Sequence, residues 1–470
     1  MARLSLCMIA RDEERFLGAC LDSARGIVDE MIVVDTGSRD ATRQIAERAG
    51  ATVIDFAWVD DFAQARNVGL EAASGTHILV LDADEVLGPG ASKALRTATR
   101  DKDLAIGMLP LYDADALDAS AHDVVLKGRT QPWPPTHLAR LFKNHPRLRF
   151  RRAVHETLFS DIEATLADVG GEIRNVRAPI VHYGEVAELR AQREKRERNV
   201  RILQRALELD PTDGDLAGYL ANELAVQGDL KAAEEVARKH LPPFLTALEH
   251  DTRTLKPSPI RLAAVLATIQ LQRGTPADAL ETVRRSAAVC LAPHPNLRFL
   301  EGVAFEQLGE PAQAEQAFRD CLAMHGEPQT IPVNPGATSE APRLRLANLY
   351  VAQGLADEAL EVLERGGEIE GKLQTAARLA AAEAHLTLGQ PDQALMCVTP
   401  LLQADAPTTS AGEASGPSEP PGDLFALAAV AALMLGQADP ALADAARTST
   451  PEGWLEPRRR ALLSMIDGAR

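Results

Sequence analysis

Six glycines constrain this chain more than any other feature of its sequence. Gly228, Gly274, Gly309, Gly354, Gly389 and Gly436 are each followed five positions later by an alanine: Ala233, Ala279, Ala314, Ala359, Ala394 and Ala441. Seven positions before each glycine stands a second small residue: Ala221, Ala267, Gly302, Ala347, Ala382 and Ala429. A glycine in such a frame suits the turn between two antiparallel helices, and small residues on either side let those helices approach closely. The intervals between the glycines are 46, 35, 45, 35 and 47 residues, so every second repeat carries an insertion. Two insertions, Glu327–Pro342 and Ala406–Gly422, are rich in Pro, Ser, Thr and Gly and read as loops. From residue 210 to 470 the chain is therefore a stack of helical repeats.

The first 185 residues have another rhythm. Strand-like runs at Leu4–Ala10, Glu30–Asp35, Thr52–Phe56, His77–Leu81 and Leu104–Leu111 alternate with helix-like segments at Glu13–Arg25, Asp40–Ala49 and Asp61–Ala73. Several of these strands are continuously apolar, as in Ile32-Val33-Val34 and Ile78-Leu79-Val80-Leu81. That pattern predicts a mainly parallel, Rossmann-like sheet buried on both faces, with its ligand at the carboxyl ends of the strands. Residues 113–136 show no period and read as a loop, followed by strands at Leu138–Lys143, Arg149–Val154 and Val176–Tyr183. A charged helix, Ala187–Leu209, connects to the repeats, which gives an α/β domain over 1–185, a connector over 186–209 and the repeats over 210–470.

Composition narrows the setting. Fifty Lys and Arg against 67 Asp and Glu give a net charge of −17, which excludes nucleic acid as a partner of the bulk surface. Five cysteines, odd in number and without a CxxC pair, predict neither a disulfide framework nor a zinc site. The apolar-leaning run Leu4–Ala10 is cut by Arg11-Asp12-Glu13-Glu14 and is no signal peptide. The longest charge-free apolar stretch, Leu424–Leu435, falls short of the ~20 residues of a membrane span. These features together predict a cytoplasmic protein without a transmembrane segment.

The chemistry concentrates where predicted strands end. Leu79-Val80-Leu81-Asp82-Ala83-Asp84-Glu85 places two carboxylates, one residue apart, at the end of a buried strand. A divalent cation such as Mg²⁺ or Mn²⁺ takes oxygen ligands and is commonly shared between one or two carboxylates and substrate phosphates. Val33-Val34-Asp35-Thr36-Gly37-Ser38 ends a second strand in a carboxylate, and Asp35 can accept a hydrogen bond from a base or ribose. In the third helix Arg66 can reach a phosphate and Asn67 can orient it.

With Ile9-Ala10-Arg11-Asp12-Glu13-Glu14, Val34-Asp35-Thr36-Gly37-Ser38, Ala65-Arg66-Asn67, Leu81-Asp82-Ala83-Asp84-Glu85, Val154-His155-Glu156 and His182-Tyr183-Gly184, the chain resembles the family 2 glycosyltransferases of the GT-A fold. The repeat spacing is similar to that of tetratricopeptide repeats, whose period is about 34 residues. The resemblance is closest to the bacterial branch in which a short catalytic domain precedes such repeats and glycosylates peptides or proteins. It covers residues 1–210 in detail, and it departs from the pattern at Asp12, where the branch usually has asparagine.

The resemblance implies an inverting transfer from a nucleotide-diphosphate sugar, with UDP as the expected nucleotide, to a peptide, protein or glycan acceptor positioned by the repeats. It places Ala10, Asp12, Glu13, Asp35, Arg66, Asn67, Asp82, Ala83 and Arg140 around the donor. Mn²⁺ or Mg²⁺ would be held by Asp84, with Asp82 and His182 as further ligands. Glu156 is the expected base and His155 the second choice, against a plain ion pair of Glu156 with Arg151 or Arg152. Trp133 can stack on a sugar or close a small core. A homodimer through the repeats is compatible with the resemblance. Two other readings compete: a nucleotidyltransferase, which the acidic Asp12-Glu13-Glu14 disfavours, and an interaction scaffold with an inactive transferase half.

Overall fold

The computed structural model describes residues 3–114, 117, 126, 135–158, 162–184, 186, 193–251, 258–327, 334, 336–369, 371–404, 422–437, 440–448, 462 and 464–465. Trp133, most of the predicted 113–136 loop, the start of the 187–209 helix and parts of both predicted linkers lie outside them. The chain divides into two compact units, Met1–Ile269 with Ala288–Leu291, and Gln270–Ala287 with Ala292–Arg470.

The first unit opens with β1 (Leu4–Ala10), α1 (Leu17–Ala24), β2 (Glu30–Asp35), α2 (Thr42–Arg48), β3 (Thr52–Asp55), α3 (Phe62–Ala72) and β4 (His77–Val80). β1 pairs in parallel with β2 and β4, and β2 in parallel with β3. Alternate residues of β1 serve opposite faces, as a buried strand requires. Leu4, Leu6 and Met8 join Leu17, Leu21 and Ala46 of the α1 and α2 side, whereas Cys7 joins Leu70 of α3. The chain then runs through β5 (Glu85–Leu87), α4 (Ala91–Ala98), β6 (Leu104–Asp113), β7 (Thr136–Lys143), α5 (Ile162–Val169), β8 (Glu172–Asn175) and β9 (Ile180–His182). The sheet order is β3-β2-β1-β4-β7-β6-β9-β5, with β8 alongside β6. β7 lies antiparallel between β4 and β6, and the sheet is otherwise mostly parallel.

One predicted strand is absent. Over Arg149–Val154 only a bridge between Arg151 and Thr157 forms, and Arg152 and His155 stand at φ +73° and +52°. The alternation of Arg with apolar residues that resembles a strand here instead belongs to a tight turn. Four short elements, β5, α4, α5 and β8, fall outside the segments read from the sequence pattern.

Four helices follow the sheet: α6 (Arg193–Leu209), α7 (Gly214–Val226), α8 (Leu230–Glu249) and α9 (Ile260–Gln272). All but the last three residues of α9 belong to the first unit, although the repeat pattern begins at residue 210. Asp213 caps α7 by accepting the N–H of Leu216.

Among its described residues the second unit has helices and no strand. Past α10 (Pro276–Ala288) it contains α11 (Pro295–Leu308), α12 (Pro311–Ala323), α13 (Glu340–Gln353), α14 (Ala356–Glu364), α15 (Gln374–Thr387), α16 (Pro391–Ala404), α17 (Gly422–Met434) and α18 (Pro440–Thr448). All six turn glycines adopt φ between +69° and +87°, the left-handed conformation that ends a helix without a Cβ penalty. Ala279, Ala314 and Ala359 are fully buried, and Ala441 departs from the pattern by being exposed. Gly302 shows why size matters: a Cβ there would stand 2.6 Å from the ring of the buried Phe318. Gly302→Ala is expected to cost about 1–3 kcal/mol by overpacking. A thermal melt checks this, and an unchanged midpoint would contradict it.

Candidate active site

The loops after β1 and β2 are stitched together by backbone and side-chain bonds. Asp12 adopts φ +55°, a conformation in which Asp and Asn are enriched. Its N–H donates to Ser38 Oγ at 3.1 Å, and its Oδ1 accepts the N–H of Arg39 at 2.7 Å. Either asparagine or aspartate can make both bonds, which accounts for the departure from the family pattern at this position. Glu13 donates its N–H to Thr42 Oγ1 at 2.7 Å. The Asp35 carboxylate, only 7% exposed, accepts the hydroxyl and the N–H of Ser38. The Ala10 carbonyl accepts both the N–H and the hydroxyl of Thr36. These residues form the rim of the strand ends.

Asp82, directly after β4, is the centre of a charge cluster. Its two oxygens take Arg66 Nη2 and Arg140 Nη2, each at 2.8 Å. Burial alone would raise its pKa, but Arg140 and Arg66 hold the carboxyl well below the usual range. Arg140, on β7, also pairs with the fully buried Glu85, whose second oxygen accepts the N–H of Asp82 at 2.9 Å. Burial pushes the Glu85 carboxyl up, with Arg140 opposing. Both arginines are nearly buried, and each keeps a buried N–H without a partner among the described residues: Nη1 of Arg66 and Nε of Arg140. Ala83, 5% exposed, packs into the core and separates Asp82 from Asp84.

Arginines thus engage both oxygens of Asp82, which the sequence offered as a further metal ligand. The Asn67 amide, expected to orient a phosphate, donates to the Phe150 carbonyl at 2.9 Å and accepts the Phe150 N–H at 2.8 Å, which fastens the segment leading to Glu156 and leaves its second amide hydrogen for a phosphate.

Asp84 and His182 form a separate pair. His182 Nε2 lies 3.6 Å from Asp84 Oδ2, and Nδ1 lies 2.8 Å from Asp113 Oδ1. Burial alone would lower the His182 pKa, but the two carboxylates carry it up to about 10. A Cβ at Gly184 would come within 2.5 Å of both Asp84 Oδ2 and His182 Nε2, so the glycine keeps open the space in front of the two atoms. Ligand bonds to Mg²⁺ or Mn²⁺ of about 2.0–2.2 Å span up to roughly 4.4 Å between two ligands, and the 3.6 Å separation therefore fits one shared ion. Asp113 fixes the ring as an outer-shell carboxylate does for a ligating imidazole. Among the described residues no third His, Cys, Asp or Glu joins them. Two protein ligands suit an ion that substrate phosphates complete.

Glu156, 14% exposed, pairs with Arg66 Nε at 2.5 Å, and neither Arg151 nor Arg152 is its partner. Arg152 turns to Asp213 at 2.9 Å and Asp215 at 3.4 Å. The His155 ring stacks on Tyr219, with centroids 3.5 Å apart and planes within 10°. Its Nε2 is buried without a hydrogen-bond partner among the described residues, and burial with nearby Arg261 lowers its pKa to about 4. A neutral, enclosed imidazole of low basicity does not fit the role of a base. Sequence reasoning missed Asp113 and Tyr219, and it quoted Gly184 only as part of the His182-Tyr183-Gly184 motif, without a role. Only Asp113 left a signal, as another carboxylate at a strand end.

Residues 5–157 match the family model for glycosyl transferase family 2. A TPR repeat-containing protein of Synechococcus elongatus is 39% identical over 245 residues, 51% of this chain and 57% of that one. An uncharacterized glycosyltransferase of Rickettsia felis is 37% identical over 87 residues, 18% of this chain and 30% of its own. The chain thus spans little more than half of the first relative and under a third of the second. Among solved structures, a tetratricopeptide repeat protein from Parabacteroides merdae aligns with 58% of this chain and 93% of its own, at 17% identity and a TM-score of 0.36. A glucosyl-3-phosphoglycerate synthase from Mycobacterium tuberculosis, in complex with Mn²⁺, UDP and glucosyl-3-phosphoglycerate, aligns with 44% of this chain and 80% of its own, at 18% identity and a TM-score of 0.30. Residues 5–157 thus match glycosyl transferase family 2, and over about half its length the chain is similar to a TPR repeat-containing protein.

Proposed function

We propose that the protein is an inverting glycosyltransferase that moves a sugar from a nucleotide-diphosphate donor, best matched by a UDP-sugar, to a peptide or protein acceptor presented by the repeats. The observation that carries this reading is the opening between Asp84 and His182, kept clear by Gly184 in a domain that also holds two arginines with unpartnered buried N–H groups. Mn²⁺ or Mg²⁺ held by Asp84 and His182 would supply positive charge to the leaving diphosphate. Arg66 Nη1 and Arg140 Nε donate to phosphate oxygens, which removes the cost of their buried, unpaired state. Asp35 and the Ala10–Glu13 rim receive the nucleoside. Glu156 Oε2 takes the acceptor proton as the acceptor atom bonds to the anomeric carbon and the bonding pair leaves with the diphosphate, inverting the centre.

The second unit supports an extended acceptor. Stacked helix pairs present a surface for extended chains, and a cavity of about 450 Å³ there is lined by Arg319, His325, Arg343, Tyr350, Glu358 and Arg365. No helix among the described residues is long and apolar enough to cross a membrane, and the five cysteines are free, which fits action in the cytoplasm.

The deciding experiment measures nucleoside diphosphate release from UDP-, GDP- and dTDP-sugars with and without Mn²⁺. Metal-dependent release from one donor is expected. Absence of both release and donor binding across the panel would move the interaction-scaffold reading to first place. Gly184→Ala is expected to weaken Mn²⁺ binding in the presence of UDP by at least the about 10–100-fold seen when an outer-shell partner is lost. Titration calorimetry reads this directly, and wild-type affinity in the variant would remove the cradle from the proposal.

A further inference from the structure

The turn that carries Glu156 is held from two sides. On one side Asn67 of α3 fastens Phe150, and the Phe62 N–H donates to the Ala153 carbonyl at 2.8 Å. On the other side stand residues of the first repeat. Arg152 reaches Asp213 and Asp215 at the start of α7, and His155 lies flat on Tyr219 of the same helix. The Arg261 guanidinium of α9 stands 3.8 Å from the Tyr219 ring centroid and forms a cation–π contact with it. All of these residues belong to the first unit.

The turn is one that would not hold this shape alone. Arg152 and His155, both non-glycine residues, occupy positive φ at +73° and +52°, a conformation that persists where the surroundings over-determine it. Each of the two strained residues has its side chain anchored on α7: Arg152 by charge, His155 by stacking. Glu156 follows immediately, and its own carboxylate is tied to Arg66 at 2.5 Å.

We propose that the first repeat is part of the transfer site's frame, and that Tyr219, backed by Arg261, is a positioning residue that sets Glu156 through the stacked His155. This rests on the transferase reading for its catalytic consequence, whereas the mechanical coupling stands on the geometry alone. Such a residue acts on kcat and leaves the donor KM in place, because it touches neither nucleotide nor metal. Displacement of a reacting group by about 1 Å costs on the order of 10²-fold in rate.

The test uses the full chain with Tyr219→Ala, Tyr219→Phe and Arg152→Gln. Two readouts are taken: UDP release under Mn²⁺, split into kcat and KM, and amide hydrogen exchange over residues 150–157 against that of β1, β2 and β4. Expected for Tyr219→Ala is a fall in kcat of about 10–100-fold with donor KM within twofold, together with faster exchange confined to 150–157. Tyr219→Phe keeps an aromatic face for His155 and is expected to restore both readouts. Arg152→Gln, which leaves the stack alone, should speed exchange over the same residues and keeps the test open if Tyr219→Ala fails to fold. Unchanged exchange at 150–157 in the folded variants overturns the coupling, and faster exchange with wild-type kcat overturns the positioning role. If wild type turns over no donor while the variants show faster exchange, the coupling holds and the transferase reading is what fails.

Discussion

Glu156→Gln is expected to keep donor and metal binding and to lower kcat by about 10²–10⁴-fold, the usual contribution of a positioned base. Glutamine preserves the length of the side chain, and its carbonyl can still accept from Arg66 Nε, so the turn and the arginine stay in place. What disappears is the second oxygen's capacity to take a proton. The comparison that decides is with His155→Asn. As a side chain that only sets Glu156 through its stack on Tyr219, His155 is expected on this replacement to lose no more than the about 10–100-fold of Tyr219→Ala. If His155 were the base, that variant would carry the larger loss. The enclosed Nε2 and the depressed basicity of His155 argue for the opposite order. Initial-rate measurements at saturating donor, with donor affinity measured separately, distinguish the two.

Asp84→Asn is expected to remove Mn²⁺ dependence and to lower nucleotide release by about 10²–10³-fold, as a Lewis acid supplies several kcal/mol of charge stabilisation. The stability of this variant should be close to wild type, because among the described residues the Asp84 carboxylate pairs only with His182, at the long distance of 3.6 Å. Asp82→Asn should show the reverse balance. Its oxygens hold Arg66 and Arg140 together, and breaking a largely enclosed cluster leaves like charges facing one another. A lowered melting temperature for Asp82→Asn, alongside an unchanged one for Asp84→Asn, would separate the structural carboxylate from the metal-holding one. Equal melting temperatures with equal loss of Mn²⁺ affinity would put both on the ion.

Much of this was legible because it depends on local pattern. β1 and β2 coincide with their runs, Leu4–Ala10 and Glu30–Asp35, since strands buried on both faces are written mainly in apolar residues. The turn glycines were legible for the same reason: one residue type tolerates the required φ. What was not legible is whatever depends on pairs distant in sequence. Asp82 and Asp84 look alike as a motif, and only the arrival of Arg66 from α3 and Arg140 from β7 divides their labour. Asn67 likewise reads as a phosphate-orienting amide, and nothing local tells that Phe150, 83 residues away, engages its carbonyl and one of its amide hydrogens. The segment at Arg149–Val154 is not a strand: Arg152 within it and His155 just after it stand at positive φ, and both contact a helix that begins some sixty residues later.

The place where the chain divides has a consequence for how such proteins diversify. The break falls at residue 269, beyond the first turn glycine, and not at residue 209 where the repeat pattern starts. Lineages can lengthen, shorten or exchange the later helices without touching the 152–156 turn. The helices at 214–226 and 230–249 are different: inherited separately from the sheet, they would leave Arg152 and His155 without their anchors. Recombination between related enzymes should therefore tolerate crossovers after residue 269 and punish those between 158 and 260, a bias that a chimera series with circular dichroism and turnover as readouts would expose.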